Sequence, residues 1–196
     1  MTHYFKNDEN LKSEFRNLLY KYEDYTFNFT SDLGVFAKDR IDFASKLLIE
    51  TYFKHGKNDK KILDVGCGYG LIGITLSKIK KCNLTMIDIN KRALHLTKMN
   101  LKLNNTDAIV IESDIYENIN EIYDVIITNP PIRAGKEVYM TIIRDAFKYL
   151  TSNGELWFVM NKDHGAKTVM KELERTYNLH VLAKNKGFFV IMCKNR

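Results

Sequence analysis

Short apolar runs of a few residues alternate along the chain with longer segments whose apolar positions recur every three or four residues. Strands alternating with helices produce this pattern. Lys61 to Val65 reads as a strand running into Gly66-Cys67-Gly68, and Leu71 to Lys80 follows as a helix. Leu84 to Ile89 is again strand-like. Lys91 to Leu103 carries Ala93, Leu94, Leu96, Thr97, Leu101 and Leu103 at helical spacing, and Asn104-Asn105 supplies a stop. Ala108 to Ile111, Tyr123 to Thr128 and Glu155 to Met160 are further strands, with helical segments near 136–150 and 164–176. Crossovers of this length normally hold a helix, so a mainly parallel sheet covered on both faces is expected. The end of the chain breaks the rule: Leu179 to Ala183 and Phe188 to Cys193 are joined by only Lys184-Asn185-Lys186-Gly187, which forces antiparallel pairing. One α/β domain over 38–196 is predicted, with residues 1–37 as an N-terminal extension packed on it.

Composition supports a single domain with its own core: 196 residues, 45% hydrophobic and 28% charged. Three cysteines, Cys67, Cys82 and Cys193, form no CxxC pair and have no histidine at ligand spacing, so neither a disulfide frame nor a metal site is expected. The polar start and the lack of any apolar run near the ~20 residues of a membrane span point to a cytoplasmic protein without a membrane partner. Net charge is +6, and residues 162–196 carry eight Lys/Arg against three Asp/Glu, so a basic surplus gathers at the C-terminal end. It favours an anionic partner without requiring one.

Glycine and proline are concentrated at two places. Four glycines fall between Gly66 and Gly73, and both prolines stand together as Pro130-Pro131. In Leu63-Asp64-Val65-Gly66-Cys67-Gly68-Tyr69-Gly70 a buried strand turns sharply into a helix, which suits a nucleotide-like ligand brought close to backbone N–H groups and a helix N-terminus. Asp88 closes the next strand 20 residues after Gly68, and Asp114 closes the third at the same sheet edge. The spacing is GxGxG, with Leu71 where a dinucleotide fingerprint has its third glycine, so a diphosphate cofactor is disfavoured.

Leu63 to Gly70 with Asp88 and Asp114 resembles the cofactor region of class I S-adenosylmethionine-dependent methyltransferases over essentially residues 38–196. The resemblance implies a Rossmann-like, seven-stranded, mostly parallel sheet with an antiparallel C-terminal strand and helices on both faces. It implies that Asp64, Gly66, Gly68 and Gly70 hold the methionine part of S-adenosyl-L-methionine. Asp88 with Ile89 would take the ribose, Asp114 with Ile115 the adenine, and Asn129 would border the same pocket.

The fourth strand ends in Asn129-Pro130-Pro131-Ile132-Arg133. Two prolines remove two backbone donors and stiffen the turn. The Asn129 amide oxygen and the Pro130 carbonyl can then accept both hydrogens of an NH2 group and orient its lone pair toward a methyl donor, which makes these two the catalytic candidates. The tetrapeptide resembles the motif of methyltransferases acting on exocyclic base amines or glutamine amides, whose fourth residue is usually aromatic. Ile132 cannot stack on a base, so Phe36, Phe188 or Phe189 must supply that face.

Phe29 to Asp42, with its Gly34-Val35-Phe36-Ala37 stretch and following Asp, resembles the entry region of the ribosomal small-subunit methyltransferase C family, which makes N2-methylguanosine in 16S rRNA. Asn129 to Lys136 and Lys186-Gly187-Phe188-Phe189-Val190 resemble that family's short relatives. The long form carries an additional N-terminal domain that has no counterpart here. The implied partner is ribosomal RNA or the small subunit, with Phe36, Pro131, Ile132, Arg133, Lys136 and Phe188 toward substrate and Lys184 and Lys186 as further phosphate candidates. Methylation of a protein glutamine, or a nucleotide- or RNA-binding module without catalysis, remain open on the residues alone.

Overall fold

The structure, a computed structural model, describes residues 12–57 and 61–196. The first eleven residues of the predicted extension, including the polar start, lie outside the described residues.

The first element of the described residues is a hairpin, β1 (Arg16–Tyr22) and β2 (Tyr25–Ser31), which the helix-and-strand pattern above does not include. Its signal is a period of two: Leu18, Tyr20, Phe27 and Phe29 face inward and are buried, while Asn17, Leu19, Lys21, Thr26 and Asn28 between them are exposed. Helix α1 (Phe43–His55) follows, and then β3 (Lys61–Val65), α2 (Leu71–Lys80), β4 (Asn83–Asp88), α3 (Lys91–Leu103), β5 (Ile109–Glu112) and β6 (Tyr123–Thr128). Helix α4 (Lys136–Asp145), β7 (Leu150–Asn161), α5 (Ala166–Leu173), β8 (Tyr177–Asn185) and β9 (Phe188–Asn195) complete it. The helix expected to reach residue 150 ends as a 3₁₀ turn over Ala146–Tyr149, and β7 starts five residues earlier than its apolar run. Pairing of Tyr123 with Leu150 draws that polar stretch into the sheet before a register shift.

The seven strands lie in the order β5-β4-β3-β6-β7-β9-β8. All neighbours are parallel except β9, which runs antiparallel to both β7 and β8. The Rossmann-like sheet with its reversed last strand is therefore as expected. Alternation along the strands divides the apolar residues into two cores. Ile62, Val125, Ile127, Trp157 and Val159 pack under α1, α2, α3 and the hairpin, whereas Leu63, Ile126, Leu156 and Phe158 pack under α4 and α5. Past the register shift, Val125 and Ile127 of β6 thus face α1, and Asn129, one residue past the strand end, continues that side.

The hairpin is fastened to α3 by side chains that imitate a strand. Asn100 accepts from Thr30 N at 2.7 Å and donates to Thr30 O at 2.9 Å, and Asn104 accepts from Asn28 N at 3.1 Å and donates to Asn28 O at 2.8 Å. Both are buried, and each carboxamide satisfies both backbone groups of an edge residue of the hairpin.

Candidate active site

The parallel strands bring the ends of β3, β4, β5, β6 and β7 to one edge of the sheet. Strand order reverses between β3 and β6, where flanking loops diverge and leave the crevice that binds ligands in open α/β sheets. Asp64 pairs with Ile127 in the β3–β6 register, and two residues beyond that pair stand Gly66 and Asn129. The two sequence constellations are therefore neighbours.

The glycine turn folds on itself. Gly66 N and Cys67 N both donate to Ile87 O, at 2.9 and 3.0 Å, Gly70 N donates to Cys67 O at 2.9 Å, and Gly68 N donates to Asp88 Oδ2 at 2.9 Å. These four donors, expected to face a ligand, instead hold the turn's shape. What the turn offers a ligand is space: Gly66 and Gly68 have φ of +70° and +59°, and a Cβ built on either meets nothing within 4 Å. Gly73 differs, since a Cβ there would lie 2.9 Å from Asp64 Oδ2.

Asp64 is fully buried. Its Oδ2 accepts from Gly73 N at 2.8 Å, and its Oδ1 has no hydrogen-bond partner. Burial, with a smaller push from the Asp88 charge, raises its pKa to about 7. The Tyr69 hydroxyl in the same turn is likewise buried without a partner, and burial together with the charge of Asp42 raises its pKa. Two of the four orphaned buried side-chain atoms among the described residues thus sit at one turn. Asp88 is held by Gly68 N and by Asn90 N, each at 2.9 Å on a different oxygen, which fixes the carboxylate. Ile89 is half-buried beside it. Asp114 lies two residues past the end of β5 and is exposed, and Ile115 takes the left-handed conformation at φ +50°, rare for a β-branched residue.

A strap over 32–42 borders this edge. Asn90 Nδ2 donates to Gly34 O at 3.1 Å and Arg92 pairs with buried Asp32 at 2.8 Å, so the strap is tied to the start of α3 with Phe36 left 52% exposed. Asp42 ends the strap as the N-cap of α1, its Oδ2 accepting from Ser45 N at 2.7 Å. That same oxygen accepts from Asn129 Nδ2 at 3.1 Å, and Ser45 Oγ lies 2.9 Å from Asn129 Nδ2. The Asn129 oxygen has no protein partner among the described residues. Pro130 is buried and Pro131 half-buried.

The aromatic candidates separate. Phe188 lies on the α1 side, tilted against Phe43 at 5.8 Å between ring centroids, with Lys186 Nζ 4.9 Å from the Phe43 ring centre. Phe189 packs into the opposite core with Lys184 over its ring, away from the Asn129 side. Ile132 is half-buried against that second core, and Arg133 beside it is exposed in a 3₁₀ turn. Lys136 opens α4 and lines a cavity of about 290 Å³ shared with His164, just before α5, and Thr168 within it. Asp42, Phe43 and Ser45 join this site although no spacing in the sequence marks them. Their distance in sequence from Asn129, 84 to 87 residues, hides the contact.

Buried thiols offer no nucleophile here. Burial and the charges of Asp88 and Asp64 push the Cys67 thiol well up, and burial pushes Cys193 up to about 12. Among the described residues no group of three or more His, Cys, Asp or Glu is placed to hold a metal, and no helix is long and apolar enough to cross a membrane.

A fold of this topology, with a glycine turn at the switch point and an Asn-Pro-Pro ledge beside it, defines a class I methyltransferase. Residues 26–192 match the family model "Methyltransferase small domain", and the chain belongs to that family. It is 39% identical to the uncharacterized protein YbxB of Bacillus subtilis over 98% of both chains. It is 38% identical to the ribosomal RNA small subunit methyltransferase C of Serratia proteamaculans over 80% of this chain and 46% of that one, so it spans about half the length of such relatives. Among solved structures, the 16S rRNA N2 methyltransferase of T. thermophilus, in complex with AdoMet and guanosine, superposes with a TM-score of 0.83 at 23% identity, covering 97% of this chain and 53% of that one.

S-adenosylmethionine is the cofactor of this class, and the turn fits it. An orphaned carboxylate oxygen on Asp64 matches an ammonium, the orphaned Tyr69 hydroxyl matches a carboxylate, and the room above Gly66 and Gly68 would close if a side chain entered.

Proposed function

We propose that this chain transfers a methyl group to the exocyclic N2 amine of a guanine in 16S ribosomal RNA. The observation that carries the reading is the placement of Asn129 beside Gly66, two residues past the Asp64–Ile127 pair, which sets an amine-accepting ledge next to the cofactor turn. Two relatives named above, one a ribosomal RNA methyltransferase and one solved with guanosine, support the substrate class.

When bound, the cofactor supplies a methyl group activated on a sulfonium. Asp64 would pair with its ammonium, Asp88 would accept from the ribose hydroxyls, and Asp114 with the Ile115 turn would border the adenine. The Asn129 oxygen and the Pro130 carbonyl accept the two hydrogens of the guanine NH2, which leaves the nitrogen lone pair directed at the methyl. Positive charge developing on nitrogen is stabilised by those two oxygens. The methylated nitrogen is then acidic enough to release its proton to water, so no dedicated base is required. Phe36 and Phe188 would offer apolar faces to a base turned out of its stack, with Pro131 and Ile132 as further substrate contacts. Arg133, Lys136 and Lys186 contact phosphates, which position the RNA without reading its sequence.

Purified protein incubated with methyl-labelled cofactor and either 30S subunits or 16S rRNA should yield N2-methylguanosine. Label recovered in protein instead of RNA would establish the glutamine reading, and RNA binding without transfer would establish a non-catalytic module.

A further inference from the structure

We infer that Asp42 and Ser45 are positioning residues that lock the Asn129 carboxamide in one orientation, oxygen toward the acceptor amine. The inference rests on the reading of Asn129 as an amine acceptor. A primary amide has two faces that a half-turn exchanges: an oxygen that accepts, and an NH2 that donates. Only the first can meet a substrate NH2. With the amide reversed, two donors would confront two donors and the lone pair would lose its direction. The chemistry of the neighbours decides between the two.

Asp42 Oδ2, 3.1 Å from the amide nitrogen, already serves as an acceptor for Ser45 N at 2.7 Å, and an acceptor there excludes the reversed orientation, which would set oxygen against oxygen. Ser45 Oγ at 2.9 Å takes a place beside the same nitrogen. Neither partner can drift. Asp42 is fixed by its capping bond from Ser45 N at 2.7 Å, and Ser45 is 5% exposed in the first turn of α1. A helix cap and an amide lock therefore share one carboxylate oxygen.

The test compares Ser45→Ala, which leaves the cap intact, with Asp42→Ala and Asp42→Asn. An asparagine at 42 still presents one carbonyl oxygen to both Ser45 N and Asn129 Nδ2, so it should recover most of what alanine loses. Methyl transfer to 16S rRNA should fall roughly tenfold or more in kcat for Asp42→Ala and by less for Ser45→Ala, with cofactor affinity unchanged in both. Unchanged kcat in both alanine variants overturns the lock, as does an Asp42→Asn variant no better than Asp42→Ala. The second readout needs no substrate: the Asn129 side-chain amide should give rigid, slowly exchanging 15N resonances in the wild type and averaged ones in Asp42→Ala. Equal rigidity in the two proteins overturns the proposal. If the wild type methylates no RNA, the proposed function fails, while the amide resonances still decide the lock.

Discussion

At the scale of single residues, Gly68 and Asp64 make opposite demands on the same turn. Alanine at position 68 must adopt φ near +59° at a cost of about 1 to 2 kcal/mol, and its methyl enters space that no protein atom occupies. Gly68→Ala should therefore weaken cofactor binding tenfold or more while lowering Tm by only a few degrees, on the scale of about 1 kcal/mol. An unchanged Kd by calorimetry would remove the turn from the cofactor site. Asp64 makes a pH-dependent demand. An aspartate titrates near ~3.9 in the unfolded chain, against about 7 in the fold. Between those values the folded state keeps a proton that the unfolded chain has lost, so stability without cofactor should fall as pH rises from about 4 to about 7 and then level off. A bound ammonium favours the ionised form, so cofactor affinity should rise with pH over the upper part of that window. In Asp64→Asn both trends should flatten; a melting series and titrations at pH 6 and 8 that still slope would contradict this assignment.

Elements are joined here by side chains that stand in for backbone. Asn100 bonds both backbone groups of Thr30 and also donates to Tyr69 O at 2.8 Å, tying hairpin, α3 and glycine turn at one buried point. Asn100→Ala would leave those peptide groups unsatisfied, at about 1 to 3 kcal/mol each. Hydrogen exchange over residues 16–31 should accelerate, and cofactor affinity should fall with it. Unaltered exchange in the hairpin would show that its apolar side chains suffice to dock it. The glycine turn and the sheet were legible in the sequence because each is written locally, in strands followed at once by their turns. The hairpin was equally local, yet its period-two pattern, Leu18, Tyr20, Phe27 and Phe29, lies in a polar stretch with no helix to set it off. The lock on Asn129 was not legible at all. It depends on how α1 lies across the end of β6, and no spacing records that. Nor could sequence show that the turn's N–H groups are consumed internally, because Ile87 O and Asp88 become their partners only once β4 lies beside β3.

For the molecule as a whole, the +6 charge gains meaning only where it meets the active edge. Arg133 and Lys136 lie just past the Pro-Pro ledge, and Lys186 stands over Phe43 beside Phe188. If each neutralises one phosphate, replacing Arg133 or Lys136 by Gln should flatten the log–log salt dependence of RNA binding by about 0.7 to 0.9 per residue. Binding measured across several salt concentrations with an unaltered slope would place these cations outside the interface.

The position of β9 also governs the order in which the molecule can be assembled. A ribosome delivers β8 before β9, yet in the finished sheet β9 lies between β7 and β8. Until β9 arrives, β8 has no partner, and β7 presents an open edge on the side away from β6. The strands bearing the glycine turn, Asp88 and Asn129 need none of it, since β5, β4, β3, β6 and β7 pair among themselves. Those five strands can thus pair while the chain is still being made. The wall bearing Phe188 closes only with the final strand of the sheet.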